Sequence, residues 1–268
     1  MVTMIDSLAA LASLLPALLL GWVRTPKRDG AFWASLALAV CGPTLLSGIH
    51  AATVWHTGLA AALWASLSAT LILFLGLNLV SRQAWRLMPL LMPYLLLMAL
   101  FATFWSQAPE RPMVGTAPSG WIILHILVSV ATYALATLAS VAALAAFLQE
   151  RSLKTKRPTR LTRSLPAMSE SEALIFQLLM GAEMVLGVGV LSGIALNVLE
   201  KGLWLSVDHK SLLSLLAFAV IGALLIAHHS IGMRGRLAAR LVLLAYLLLT
   251  LAYPGVKFVT DVLITKAA

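Results

Sequence analysis

The chain has 268 residues, 61% of them hydrophobic and 11% charged, with a formal net charge of +9 and a mean hydropathy of +0.96. Soluble domains carry about a quarter charged residues, so this composition excludes a soluble enzyme and places the chain in a bilayer. The single cysteine, Cys41, excludes an intramolecular disulfide, a C-x-x-C thiol carrier and a C-x-x-C-H haem attachment.

A helix rising about 1.5 Å per residue needs roughly 20 apolar residues to cross a hydrocarbon core of about 30 Å, and runs of that length fill the chain. Met1 to Trp22 is apolar, has Asp6 near its start and holds no Lys or Arg before Arg24. That is the reverse of a signal peptide's positive n-region, so it is expected to be a retained first span, residues 3–23. Arg24, Lys27 and Arg28 follow in a short loop, and a second span, residues 31–50, closes on His50, Trp55 and His56. A third, residues 58–80, meets Arg82 and Arg86. The fourth, residues 87–104, carries Pro89 and Pro93, which membrane helices tolerate when neighbours satisfy the freed carbonyls.

Residues 105–120, rich in Pro and Gly, read as a loop. The fifth span, residues 121–148, holds His125, Ser129, Thr132 and Tyr133 and exits into Arg151, Lys154, Lys156, Arg157, Arg160 and Arg163. Ser169 and Glu172 have capping-box spacing and are expected to start the sixth helix, a span over residues 172–199. Within it, Gly189 and Gly193 form a G-x-x-x-G pair that invites a close neighbour, and Glu183 lies about eleven residues, roughly 16 Å, from the Glu172 end. The seventh span, residues 211–231, runs from Asp208-His209-Lys210, with Asp208 as the expected N-cap, to the His228-His229 pair. These two imidazoles point about 100° apart, so at most one faces a given partner. The eighth span, residues 237–254, ends at Pro254-Gly255, and the tail is expected to form a short interfacial helix.

The fold class is therefore all-α: a single polytopic membrane domain over residues 1–268 with about eight spans and no soluble domain. Of the 19 Lys and Arg residues only Arg111, Lys201, Lys210, Lys257 and Lys266 fall on one side. The other fourteen fall on the opposite side, which places both termini outside the cytoplasm and makes the charge an orientation signal, with no nucleic-acid partner expected.

This orientation puts His50, His56, His125 and His209 at or near the outer face, and His228 and His229 near the inner one. His125 and His209 each lie within about one helical turn, some 5 Å, of the outer boundary. Two neutral imidazoles from different helices make a candidate bis-histidine site for haem iron, with Trp55, Trp105, Trp121 and Trp204 at the same face to stack on a porphyrin. The competing reading is structural: tryptophan belongs at membrane interfaces, and a boundary histidine often only bonds water or a carbonyl. Glu183 is read either as a protonated carboxyl bonded to a neighbouring helix or as part of a relay with His228. No Gly-rich phosphate loop, nucleophile-base pair or zinc-spaced His/Cys set is present, so no enzymatic activity is expected.

The segments WIILHILVSVATYAL, SLPAMSESEALIFQLL and DHKSLLSLLAF through HHSIGMRGRLAARLVLLAYLLLTLAYPGVKFV resemble the cytochrome c assembly membrane protein family, of the CcsA and HemX kind and nearest to the bacterial YpjD-type inner membrane proteins. The resemblance covers about residues 120–260; earlier residues match in hydropathy and in the position of His50. It implies a bacterial inner membrane protein, with the lipid bilayer, haem and other membrane proteins of cytochrome c or haem metabolism as partners. Non-covalent haem b is the implied cofactor. Haem-exporting members hold haem between outer histidines under a Trp-rich loop ending in Asp-Pro-Lys-Glu; Trp204 and Asp208-His209-Lys210 resemble a reduced form of that loop. His125, Asp208 and Lys210 carry over by position, whereas His209 stands where the family has Pro and is a ligand candidate on spacing alone. The reduced loop admits a second expectation, a HemX-like accessory protein that stabilises a partner complex without haem.

Overall fold

The computed structural model describes residues 4–23, 27–53, 56–106, 111–112, 119–202 and 208–259. Among them are eight helical segments long and apolar enough to cross a membrane. The first is α1 (Met4–Ala12) and α2 (Leu15–Val23), interrupted where Pro16 leaves the Ala12 carbonyl without its helical donor. Then come α3 (Gly30–Thr53), α4 (Leu59–Val80) and α5 (Met88–Phe104), the last entered through a 3₁₀ turn at Ala84–Leu87. After these follow α6 (Ser119–Thr155), the short α7 (Arg160–Ser164), α8 (Met168–Lys201), α9 (His209–Ile231) and α10 (Gly235–Thr250). The eighth span continues through a π turn at Leu251–Gly255, where Pro254 cannot donate to Thr250, to Phe258. A two-residue ladder, His56–Thr57 against Arg111–Pro112, ties together the loops after α3 and α5.

The bundle is built around α6, which touches α4, α5, α8 and α10 and shares its longest seam with α8. Lipid supplies no hydrophobic drive for helices to associate, so contact depends on close van der Waals packing of small residues. The sequence of α6 provides them: Ala134, Ala139, Ala142, Ala143 and Ala145 are all fully buried. Leucines and methionines on the outer helices face outward instead, which a membrane-spanning surface permits.

Two boundaries differ from those expected. The fifth helix runs past residue 148 to Thr155, because Glu150 and Lys154 pair one turn apart and extend it with charge already beyond the apolar run. The sixth begins earlier, at Met168, just after Pro166. There Glu170, not Glu172, closes the first turn by accepting the Ala167 N–H at 3.0 Å. Glu172 is left to accept the Gly235 N–H at 3.1 Å, which pins the α9–α10 turn. That turn needs left-handed backbone at Gly232 (φ 66°) and Gly235 (φ 73°).

Cross-links show which helix ends lie together. Arg28 donates to the Asn78 carbonyl (2.8 Å), Arg160 to the Val23 carbonyl (2.6 Å), and Arg236 lies 3.5 Å from Glu150. The loops after α2, α4, α6 and α9 therefore gather at one end of the bundle, here the basic end; Asp208 lies at the other.

Pro93 tests how such a fold handles a lost hydrogen bond. It cannot donate to the carbonyl of Pro89, and Trp22 Nε1, reaching across from α2, donates to that oxygen at 3.2 Å. Removing this donor by Trp22→Phe is expected to cost about 1–2 kcal/mol, the range for an orphaned buried carbonyl. Placed on Pro93→Ala, which restores the helical N–H, the same change should cost much less. Melting temperatures of the two single variants and the double variant in detergent measure this coupling.

Candidate functional site

At the Asp208 end, the first turns of α6 and α9 and the last turns of α8 and α10 leave a cavity of about 290 Å³. Its rim carries Asn197, Asp208, Lys210 and Ser211, and its walls include Leu186, Leu215 and Leu249. Deeper polar positions are His125, Ser129, Thr132, Tyr133 and Tyr253. The α6 positions 125, 129, 132 and 133 fall on one face because they follow helical spacing.

His125 is held by the close approach of α6 and α8. A Cβ added at Gly193 would lie 3.2 Å from His125 Cε1, and one at Gly189 would lie 3.3 Å from Val128 Cγ1. The G-x-x-x-G pair is thus the bed on which the imidazole and the next turn of α6 rest. Ser192, between the two glycines, fixes the ring. Its hydroxyl donates to the Gly189 carbonyl at 2.9 Å and lies 2.7 Å from His125 Nδ1. A hydroxyl has one proton, so with that proton on Gly189 the serine oxygen accepts from Nδ1–H, which leaves Nε2 with its lone pair free of that proton. Trp121 Nε1 adds a bond to the Ser192 carbonyl at 3.3 Å. Ser129 and Thr132 donate to the His125 and Val128 carbonyls (2.8 and 2.9 Å), so towards the cavity they present oxygen lone pairs.

Below the cavity, phenols from three helices meet. Tyr246 donates to Tyr133 at 3.0 Å, Tyr94 bonds Tyr246, and Thr137 also reaches Tyr246 at 3.1 Å. Tyr133 lies 3.4 Å from Thr250 Oγ1, whose own proton goes to the Tyr246 carbonyl at 2.8 Å.

Of the residues singled out in the sequence, His125 and Asp208 line this cavity together. Asp208 also caps α9, accepting the Ser211 N–H at 2.8 Å. His209 is exposed at the first position of α9 and is not among the lining residues. Trp204 and Trp55 lie outside the described residues. At the basic end His228 bonds the Met233 carbonyl (3.0 Å) and stacks on Phe176, whereas His229 is exposed. Glu183 faces Gly222, whose added Cβ would sit 2.9 Å from Oε1, and its Oε2 is buried without a hydrogen-bond partner. His228 is six residues, roughly 9 Å, further along α9 from Gly222. Sequence reasoning did not single out Ser192, Asn197, Tyr246 or Tyr94. The signal for Ser192 was its place inside the glycine pair; the phenols lie too far apart in sequence to be associated.

Among the described lining residues, one imidazole with a tied Nδ1 is the donor available to a metal group. Among the described residues no three His, Cys, Asp or Glu gather to cage a bare metal ion, but a porphyrin brings its own ring nitrogens and asks the protein for axial ligands. A histidine whose other nitrogen is tied by a hydrogen bond is the usual form of such a ligand. The cavity lies at the low end of ligand pockets, which span roughly 300–1,000 Å³, so a haem would need the mouth as well as the interior.

Comparison with known proteins settles the family. Residues 30–264 match the family described as Cytochrome C assembly protein. The chain belongs to that family. The match takes in α3 to α5, where the resemblance had rested on hydropathy and His50, and begins after α2. The chain is also 54% identical over 263 residues, 96% of its own length and 97% of the relative's, to an Azospirillum brasilense protein described as "Uncharacterized 28.8 kDa protein in nifR3-like 5'region". No solved structure matches it.

Ser192→Ala should release His125 Nδ1. The expected cost is about 1 kcal/mol in stability, and ¹⁵N NMR of labelled imidazoles should change from one Nδ1–H tautomer to a mixture. An unchanged tautomer would mean that another group holds the ring.

Proposed function

We propose that this multi-pass membrane protein, tied to cytochrome c biogenesis by its family, binds or handles haem there, as a non-enzymatic protein of the bacterial inner membrane with both termini outside the cytoplasm. The observation that carries this reading is the tied imidazole: His125 Nδ1 is spent on Ser192, and His125 lines the cavity. Non-covalent haem b, when bound, would supply an iron that takes nitrogen ligands. His125 would hold it from α6. Gly193 gives the ring room, Ser192 sets its tautomer, and Leu186, Leu215 and Leu249 exclude water from the apolar interior. His209 is the proposed second ligand, approaching from outside the cavity, Asp208 completes the mouth, and Trp204 is the proposed aromatic contact to the porphyrin. The alternative, a HemX-like accessory protein that stabilises a partner membrane complex without haem, is favoured by the exposure of His209 and the small cavity volume.

The test is an absorption spectrum, oxidised and dithionite-reduced, of detergent-purified protein from haem-supplied cells. A Soret band is expected in the parent and should be lost in His125→Ala. Loss in His209→Ala as well assigns bis-histidine ligation; retention there assigns His125 alone. An empty parent protein would favour the accessory role, which predicts a stable partner by crosslinking after gentle extraction.

Orientation has its own readout. In a Cys41→Ser background, a membrane-impermeant maleimide applied to spheroplasts should label Gln107→Cys and spare Lys156→Cys. The reverse pattern would invert the topology.

A further inference from the structure

The cavity has two chemically different ends. The interior is apolar, with hydroxyl oxygens and one imidazole, whereas Lys210 supplies the only Lys or Arg among the lining residues and stands at the rim beside Asn197 and Ser211. Asp208, two residues earlier, caps α9 through Oδ1 and its carboxylate also interacts electrostatically with Lys210, so a ligand carboxylate would share the ammonium with it. An ammonium and an amide at the mouth of an apolar, imidazole-bearing cavity match a ligand with an apolar body and an anionic edge. A neutral ligand would leave the ammonium to Asp208 alone, and a small inorganic anion would have no use for the apolar wall.

We propose that Lys210, with Asn197, seats a carboxylate of the ligand at the cavity mouth, and that the ligand is a tetrapyrrole carboxylic acid. The tetrapyrrole identity rests on the haem-handling reading, but the carboxylate anchor does not require iron. Lys210 and His125 then divide recognition. His125 addresses the centre of the ring, and Lys210 fixes which edge stays at the mouth, as a point charge whose flexible stem follows the carboxylate.

The experiment uses the full-length protein in detergent and two metal-free probes, protoporphyrin IX and its dimethyl ester, with binding followed by porphyrin fluorescence. Metal-free probes bypass axial ligation, so they report the anchor independently of His125 and iron. The free acid should bind the parent about tenfold or more tightly than the ester, the scale of a charge-assisted hydrogen bond. Lys210→Ala should lower affinity for the acid to that for the ester, Lys210→Arg should restore most of it, and Lys154→Ala, at the opposite end, should change nothing. Equal binding of acid and ester by the parent, or an acid affinity indifferent to Lys210→Ala, overturns the anchor. Oleate displacing the porphyrin at comparable concentration overturns the tetrapyrrole assignment, since the site would then accept any anionic amphiphile. A Lys210-dependent preference for the acid in a protein that shows no His125-dependent haem spectrum keeps the anchor and removes the iron ligand. A His125-dependent spectrum without that preference does the opposite.

Discussion

The seam between α6 and α8 is the contact on which the rest of the structure depends. Helices in lipid gain nothing from hiding apolar surface from one another, so they must approach closely enough for dispersion and hydrogen bonds to hold them. Alanines along α6 provide that approach through most of the bundle, and Gly189 and Gly193 provide it where a bulky imidazole has to fit. Bulkier residues at either glycine would move α6 outward and carry His125 with it. The packing solution and the placement of the site are the same feature.

A second constraint is that polar groups inside a bilayer need internal partners. Most here obtain one locally: Ser129, Thr132, Thr137 and Thr250 each donate to a carbonyl one turn back. Where the helix cannot help itself, another helix does so, as Trp22 does for the carbonyl opposite Pro93. Several buried atoms among the described residues depart from this pattern, Trp64 Nε1 and Ser140 Oγ among them, and the carboxyl in that set is Glu183, with one oxygen buried and unpartnered. A carboxyl tolerated there is one that the close approach at Gly222 has made room for.

The spans were legible because hydrophobic runs bounded by charge or proline leave little freedom in a bilayer; all eight fall where apolar length requires. Asp208 as the α9 cap was readable for a similar reason, since its chemistry is local. The start of α8 was misplaced because two glutamates two residues apart, Glu170 and Glu172, compete for the first turn; Glu170 takes the Ala167 N–H just after Pro166, and Glu172 is drawn to Gly235. In the site, His125 stood out as an imidazole in an apolar helix. Its partner Ser192 did not, because a serine between small residues carries no signal until the facing helix is known. The phenol cluster, drawn from α5, α6 and α10, is a purely tertiary fact.

That cluster closes the cavity floor with a ring of hydroxyls. Each phenol has one proton, and Tyr133, which accepts from Tyr246, has two outlets for its own: Tyr94 at 3.3 Å and Thr250 at 3.4 Å. A guest that offered Tyr133 a better acceptor than either would draw its hydroxyl towards the cavity. The Tyr133 oxygen would go on accepting from Tyr246, so the guest would take up the one phenol proton with alternative outlets and leave the bond between α5 and α10 in place.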